Sequence, residues 1–417
     1  MFSSKLVSSQ PVTIISSRCD RRYIPHLAHF PSGLLRLNIG IGPDNSFTPG
    51  YAYHSYDHGK TWQEAPTPVP RIESCHVFSD GSYYEIDGYF FQDPDAPEYY
   101  IGNAGFSRDG RTFGKEYVRI HSPSCLPVTL RSMRQYGQPQ EPWFDVINRA
   151  NHNRPVSLDS VMVGGAHITS VIELDSPHHL LAVGYFRATL TTKKSVVMLF
   201  ESTDGGRLWE EKSIAVMAED KPEGANEAAL VRLDSGELLV MARTGGLILQ
   251  AWSGDLGATW SPPEPVRLVD EKVYITGVMP SIRKAKNGGL IAVFGRPKKF
   301  FNSISESEEY DYVAESYGQC GKFVMIDPGG TGRQWQGLID LHPREVAYQE
   351  LMGVPPEKRL RVQEDKNVRD SNSWEYLTIN EVNDDEFLVT YDVQHYYEHW
   401  NAHPVYGVRM VKVRWER

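Results

Sequence analysis

The sequence predicts an all-β chain: a six-bladed β-propeller of four-stranded antiparallel blades, with residues 1–417 as one domain. Three observations carry this. One turn pattern, S-x-D-x-G-x-[TL]-W, occurs three times, a repeat that marks recurring supersecondary units. Six segments read as apolar alternation, a polar turn and a second apolar run, the hairpin signal. Helical periodicity is almost absent.

The turn copies are Ser55-Tyr-Asp57-His-Gly59-Lys-Thr-Trp62, Ser202-Thr-Asp204-Gly-Gly206-Arg-Leu-Trp209 and Ser253-Gly-Asp255-Leu-Gly257-Ala-Thr-Trp260. Ser and Asp fold back onto nearby amides, Gly supplies the backbone angle, and Trp closes the turn as an apolar plug. Two degenerate copies are Ser107-Arg-Asp109-Gly-Arg-Thr-Phe113 and Asp327-Pro-Gly-Gly-Thr-Gly-Arg-Gln-Trp335. The turns brace strands and carry no chemistry of their own.

The hairpins follow in chain order: Ile24-PHLAHFPSGLLRLNI, His76-VFSDGSYYEIDGYFF, His167-ITSVIELDSPHHLLAVGYF, Glu227-AALVRLDSGELLVMAR, Met279-PSIRKAKNGGLIAVFGR and Tyr376-LTINEVNDDEFLVTY. After most of them come a third strand, a turn copy and a fourth strand. The end runs Pro11-VTIISS and Val405-YGVRMVKVRW are expected to pair in the last blade and remove an open edge. Two stretches, 126–160 and 298–371, are long for loops and suggest rims over a binding face. Only the Glu345-VAYQELMG region reads as helical.

Net charge is −10, which argues against a general nucleic-acid partner. Cys19, Cys75, Cys125 and Cys320 are far apart in sequence, so neither a zinc knuckle nor a CxxC pair is expected. No metal-ligand spacing, P-loop or GxGxxG fingerprint stands out, and no cofactor is expected. The N-terminal run has no apolar core of signal-peptide length, and no apolar run is long enough for a membrane span. The expectation is a cytoplasmic chain with free thiols, secreted only if a leader has been removed. Oligomeric state leaves no signal.

The turn pattern resembles the Asp-box of the sialidase-like β-propellers, also called the BNR repeat. The stretch from Asn226-Glu227 to Met-Ala-Arg243 is similar to the sialidase segment in which a Glu opens one strand and an Arg ends the next. The resemblance implies that Glu227 takes the proton of a tyrosine nucleophile, and that Arg243 grips a substrate carboxylate. A phenol is a weak nucleophile near neutral pH, and an arginine fork matches a carboxylate in two places. Arg296 falls where the third family arginine is expected, and Tyr376, in Trp374-Glu-Tyr-Leu-Thr, resembles the nucleophile segment. In Arg21-Arg22-Tyr23-Ile24-Pro25 the leading arginine stands one place early, so Arg22 needs a bulge to reach the site. Asp44 matches the family's general acid, with an Asx turn as its competing reading. The resemblance thus implies a glycoside hydrolase acting on an acidic or deoxy sugar, with a carbohydrate partner.

His26, His76 and His167 are all expected at inner-strand starts, and Tyr185 and Arg187 at a second-strand end. This supports an alternative: a uronate-directed lyase in which Arg243 or Arg187 neutralises the carboxylate and a His or Tyr takes the C5 proton. A carbohydrate-binding propeller without catalysis is the third reading.

Overall fold

The computed structural model describes residues 4–16, 23–41, 49–133, 141–188, 194–295, 300–308, 321–356, 376–393 and 407–416. They divide into two compact units. One comprises residues 28–230 and 253–261; the other comprises 1–27, 231–252 and 262–417.

In chain order the strands are β1 Lys5–Ser8, β2 Val12–Ser16, β3 Tyr23–His29, β4 Leu35–Ile41, β5 Tyr51–Ser55, β6 Gln63–Ala65, β7 Ile72–Val77, β8 Tyr83–Asp87, β9 Phe90–Asp93, β10 Ala96–Ser107 and β11 Phe113–His121. There follow β12 Val128–Thr129, β13 Met162–Gly164, β14 His167–Ser176, β15 His179–Arg187, β16 Ser195–Ser202, β17 Leu208–Val216, β18 Asn226–Arg232, β19 Leu238–Arg243, β20 Leu249–Ser253 and β21 Glu264–Pro265. The last are β22 Arg267–Leu268, β23 Val273–Tyr274, β24 Val278–Lys284, β25 Leu290–Gly295, β26 Lys322–Asp327, β27 Gln336–Asp340, β28 Leu377–Asn383, β29 Glu386–Val393 and β30 Gly407–Glu416. Strands β3, β18 and β20 run from one unit into the other along the chain.

The unit of residues 28–230 and 253–261 holds the meanders β4-β5-β6, β7-β8-β10-β11 and β14-β15-β16-β17. Its core gathers Ile86, Phe90, Tyr100, Ile120, Ile168, Phe200 and Trp209, all nearly inaccessible. Removing one such side chain from water is worth roughly 1.5–3 kcal/mol. The meanders of β10-β11 and β16-β17 are joined by a parallel ladder, Arg119 opposite Leu208 through His121 opposite Glu210.

The stretch 126–160, expected to be irregular, contains the helix Glu141–Ala150. Trp143, Val146, Ile147 and Ala150 repeat at helical spacing and bury one face against Tyr89, Phe91, Ile101 and Val163.

The other unit holds β19-β20-β21, β24-β25-β26-β27 and β28-β29-β30. The expected pairing of the end runs is present: Val12 pairs with Met410 and Ser16 with Gly407, while Lys5–Ser8 pairs with the far end of the same strand. The expected helix is His342–Leu351. It is fixed by Glu345, fully buried, which accepts from Arg409 Nε at 3.2 Å, Tyr391 Oη at 2.9 Å and Gln349 Nε2 at 2.9 Å. A buried carboxylate is tolerated only with its charge and lone pairs answered in this way.

The Asp-boxes share one geometry. Each links the third strand of its meander to the fourth. In each, the Ser hydroxyl donates to the Asp carboxylate at 2.8 Å and accepts the Gly amide at 2.7–2.9 Å. The tryptophans do more than plug. Trp62 donates to Gly59 O within its own turn, but Trp209 donates to Tyr84 Oη on β8 and Trp260 to Ser213 Oγ on β17. The degenerate turn repeats this, Trp335 donating to Gln250 Oε1 on β20. These three boxes therefore stitch a meander to the one before it.

Candidate functional site

Innermost strands bring polar residues together at their heads. Strand β7 packs along β14. Strand β14 is in turn tied to β18: Thr169 Oγ1 donates to Ala228 O at 2.5 Å, and the Leu230 amide donates to Ser170 Oγ at 3.2 Å. Each of β7, β14 and β24 carries one extra residue near its head, between Ile72 and Ser74, Ile168 and Ser170, and Val278 and Ser281. Such bulges re-aim side chains at a strand end. Glu227 and Met279, each the second residue of its strand, have φ of 37° and 42°. Positive φ in a non-glycine residue is strained backbone, and such strain concentrates where chemistry or binding needs it.

His167 heads β14 and stacks on Tyr185, its partner across the hairpin, with ring centroids 5.1 Å apart and planes at 22°. Tyr89 meets His167 edge-on at 6.3 Å and Trp143 at 6.2 Å. Arg71, just before β7, donates to Tyr89 Oη at 3.5 Å. Burial, and then the Arg71 charge, pull His167 down to about 4, so it is neutral at neutral pH. Below lies Asp87, fully buried, accepting from Asn103 Nδ2 at 3.2 Å and from the Tyr89 amide at 3.2 Å. Burial outweighs these donors and pushes Asp87 up to about 7. With no exposure it cannot touch a substrate, and it serves to position Tyr89.

Of the sequence-derived residues, His167 and Glu227 stand at the heads of the linked strands β14 and β18, and Tyr185 lies opposite His167 near the end of β15. Glu227 is 8% exposed and borders Ala228, which Thr169 holds. Arg187 ends β15 and is exposed. His76 departs from expectation. Strand β7 starts at Ile72, so His76 lies near its other end, beside the turn at Phe78–Ser82 and against Phe78. The bulge at Glu73 breaks the simple alternation from which a start at His76 was read.

In the other unit, His26 is buried in β3 and Arg243 ends β19, half-buried. Tyr376, 9% exposed, packs with Val278, Met279 and Ile24. Arg22, Asp44 and Arg296 lie outside the described residues, as do Cys19 and Cys320. Among the described residues, Cys75 and Cys125 form no disulfide. The residues that sequence reasoning missed are Arg71, Asp87 and Tyr89. The signal was Pro70-Arg71-Ile72 ahead of a six-residue strand.

Residues 130–299 match the BNR repeat-like domain. No curated protein matches the chain. Among solved structures, a Dyadobacter fermentans protein of unknown function is 14% identical, with TM-score 0.60 and 99% of each chain covered. A Penicillium chrysogenum α-L-arabinanase, solved with arabinobiose, is 12% identical, with TM-score 0.53 over 97% of this chain and 98% of that one. A Hadza microbial sialidase is 13% identical, with TM-score 0.52 over 94% of this chain and 66% of that one. In fold, the chain is a sialidase-like, BNR-repeat β-propeller. It is an architecture that glycoside hydrolases use. Among the described residues, no helix is long and apolar enough to cross a membrane.

Proposed function

We propose that this propeller is a glycoside hydrolase that releases an acidic or deoxy sugar from a glycan, with Glu227 as its essential carboxylate. The observation that carries this is Glu227 itself: a buried carboxylate held at positive φ on a strand tied to β14, whose head His167 shares with Tyr185 an aromatic wall. Arg71 gives that wall a positive field, which suits a carboxylated sugar. Solved propellers of this fold include an arabinanase and a sialidase, so both furanose and acidic sugars are within its range.

The lyase reading needs a base that can take a C5 proton near neutral pH. A histidine held at about 4 is poorly matched to that task, and His76 stands at the wrong end of its strand. The hydrolase is therefore preferred. The test is a panel of aryl glycosides, arabinofuranoside, sialoside and uronide, assayed with the wild type and Glu227→Gln. Glu227→Gln should lower turnover by roughly 10²–10⁴-fold with unchanged melting temperature. An unsaturated uronate product, detected by ultraviolet absorbance, would reverse the assignment.

A further inference from the structure

A pocket opens beside strands β10 and β11, with a volume of about 550 Å³. Tyr117, Arg119, Arg149, His152, Asn153 and Asp93 line it. The Arg119 guanidinium lies 4.3 Å over the ring of Tyr99, and that of Arg149 lies 5.5 Å over Tyr117. The carboxylates around the pocket are already engaged. Asp145 accepts Tyr117 Oη at 2.5 Å and Lys115 Nζ at 3.1 Å. Asp93 meets His152 Nε2 at 2.8 Å and accepts the Asp95 amide, while Asp95 pairs with Arg154. Among the described residues, neither Arg119 nor Arg149 has a carboxylate partner.

Two guanidinium groups thus lie over aromatic rings and line one concavity beside an exposed tyrosine. A guanidinium edge takes a carboxylate in two places. We propose that this pocket is an accessory subsite for a carboxylated sugar, a uronate unit within a glycan chain. The proposal rests on the glycan substrate class of the hydrolase proposed above but not on its catalytic residues.

The test is calorimetric titration of the full chain with an oligogalacturonate, its methyl ester and sodium sulfate. The acid form should bind at least about tenfold more tightly than the ester. The exposed double substitution Arg119→Gln/Arg149→Gln should weaken acid binding by about tenfold or more without moving the melting temperature. Glu227→Gln should bind at this pocket as the wild type does, so failure of the hydrolase assignment leaves the subsite intact. Equal binding of the ester, indifference to the double substitution, or displacement by sulfate at matched concentration would each overturn the proposal.

Discussion

Trp209 donates its indole N–H to the phenolic oxygen of Tyr84, 3.1 Å away across 125 residues of sequence, and that phenol donates in turn to Gly206 O at 3.2 Å. One hydroxyl therefore binds both the plug and the backbone of an Asp-box on another meander. Both rings are fully buried. Tyr84→Phe should preserve the packing and leave an indole N–H and a carbonyl unanswered, at a cost of about 1–3 kcal/mol. Urea unfolding measures this; an unchanged midpoint would mean that the latch contributes nothing.

Gly257 tests the box turn itself. It has φ +83, and a Cβ there would run into Leu199 Cδ2. Gly236 also has positive φ, +90, but nothing lies within 4 Å of its Cβ position. Gly236→Ala meets only backbone strain, about 1 kcal/mol, whereas Gly257→Ala adds overpacking of about 1–3 kcal/mol. Matched thermal melts should rank the two in that order.

His167 and Asp87 should leave opposite marks on stability against pH. His167 titrates near 4 in the fold against an ordinary 6.5, so the unfolded chain takes its proton first. Its contribution is complete above 6.5 and drains away as pH falls toward 4. Asp87 titrates near 7 in the fold against an ordinary 3.8, so the folded state holds its proton more tightly and stability falls as pH rises between those values. Subtracting the His167→Gln stability curve from that of the wild type should leave a difference that rises with pH. The Asp87→Asn subtraction should fall with pH. A flat difference in either case would count against the environment assigned to that residue.

Deleting residues 1–17 removes the two N-terminal strands that pair with Gly407–Glu416 and leaves only Glu386–Val393 beside it. The melting temperature should drop by several degrees, and the bared edge should promote association at raised concentration. Unchanged melting would show that the pairing is not needed for closure.

Much of the architecture was legible because the Asp-box is rigid in sequence: Ser, Asp and Gly each satisfy a fixed bond in a fixed turn. Terminal pairing was legible for a related reason, since Gly407–Glu416 ends in the alternation of a strand with one buried face. The strand heads were harder. A bulge inserts one residue into the period, and this displaced the reading of His76 and hid Arg71. The helix Glu141–Ala150 carried its own signal in Trp143, Val146, Ile147 and Ala150, but it is short and lies within a polar stretch. Asp87 could not be read at all, because its burial depends on Asn103 and Trp143, which are distant in sequence.

The parallel ladder between β11 and β17 has a mechanical consequence. It is reinforced by His121 Nδ1 on Glu210 at 2.6 Å and by the bidentate pair of Arg207 with Glu116. Outer strands of this kind are ordinarily the places where a sheet breathes and where foreign strands add on. Welded side to side, these two should open as a single body, so the amides of Arg119–His121 and Leu208–Glu210 should exchange with solvent together and slowly, as if they belonged to an interior. The seam also anchors the backbone of Arg119, so that the guanidinium on Tyr99 is mounted on a strand paired on both sides rather than on a loose rim.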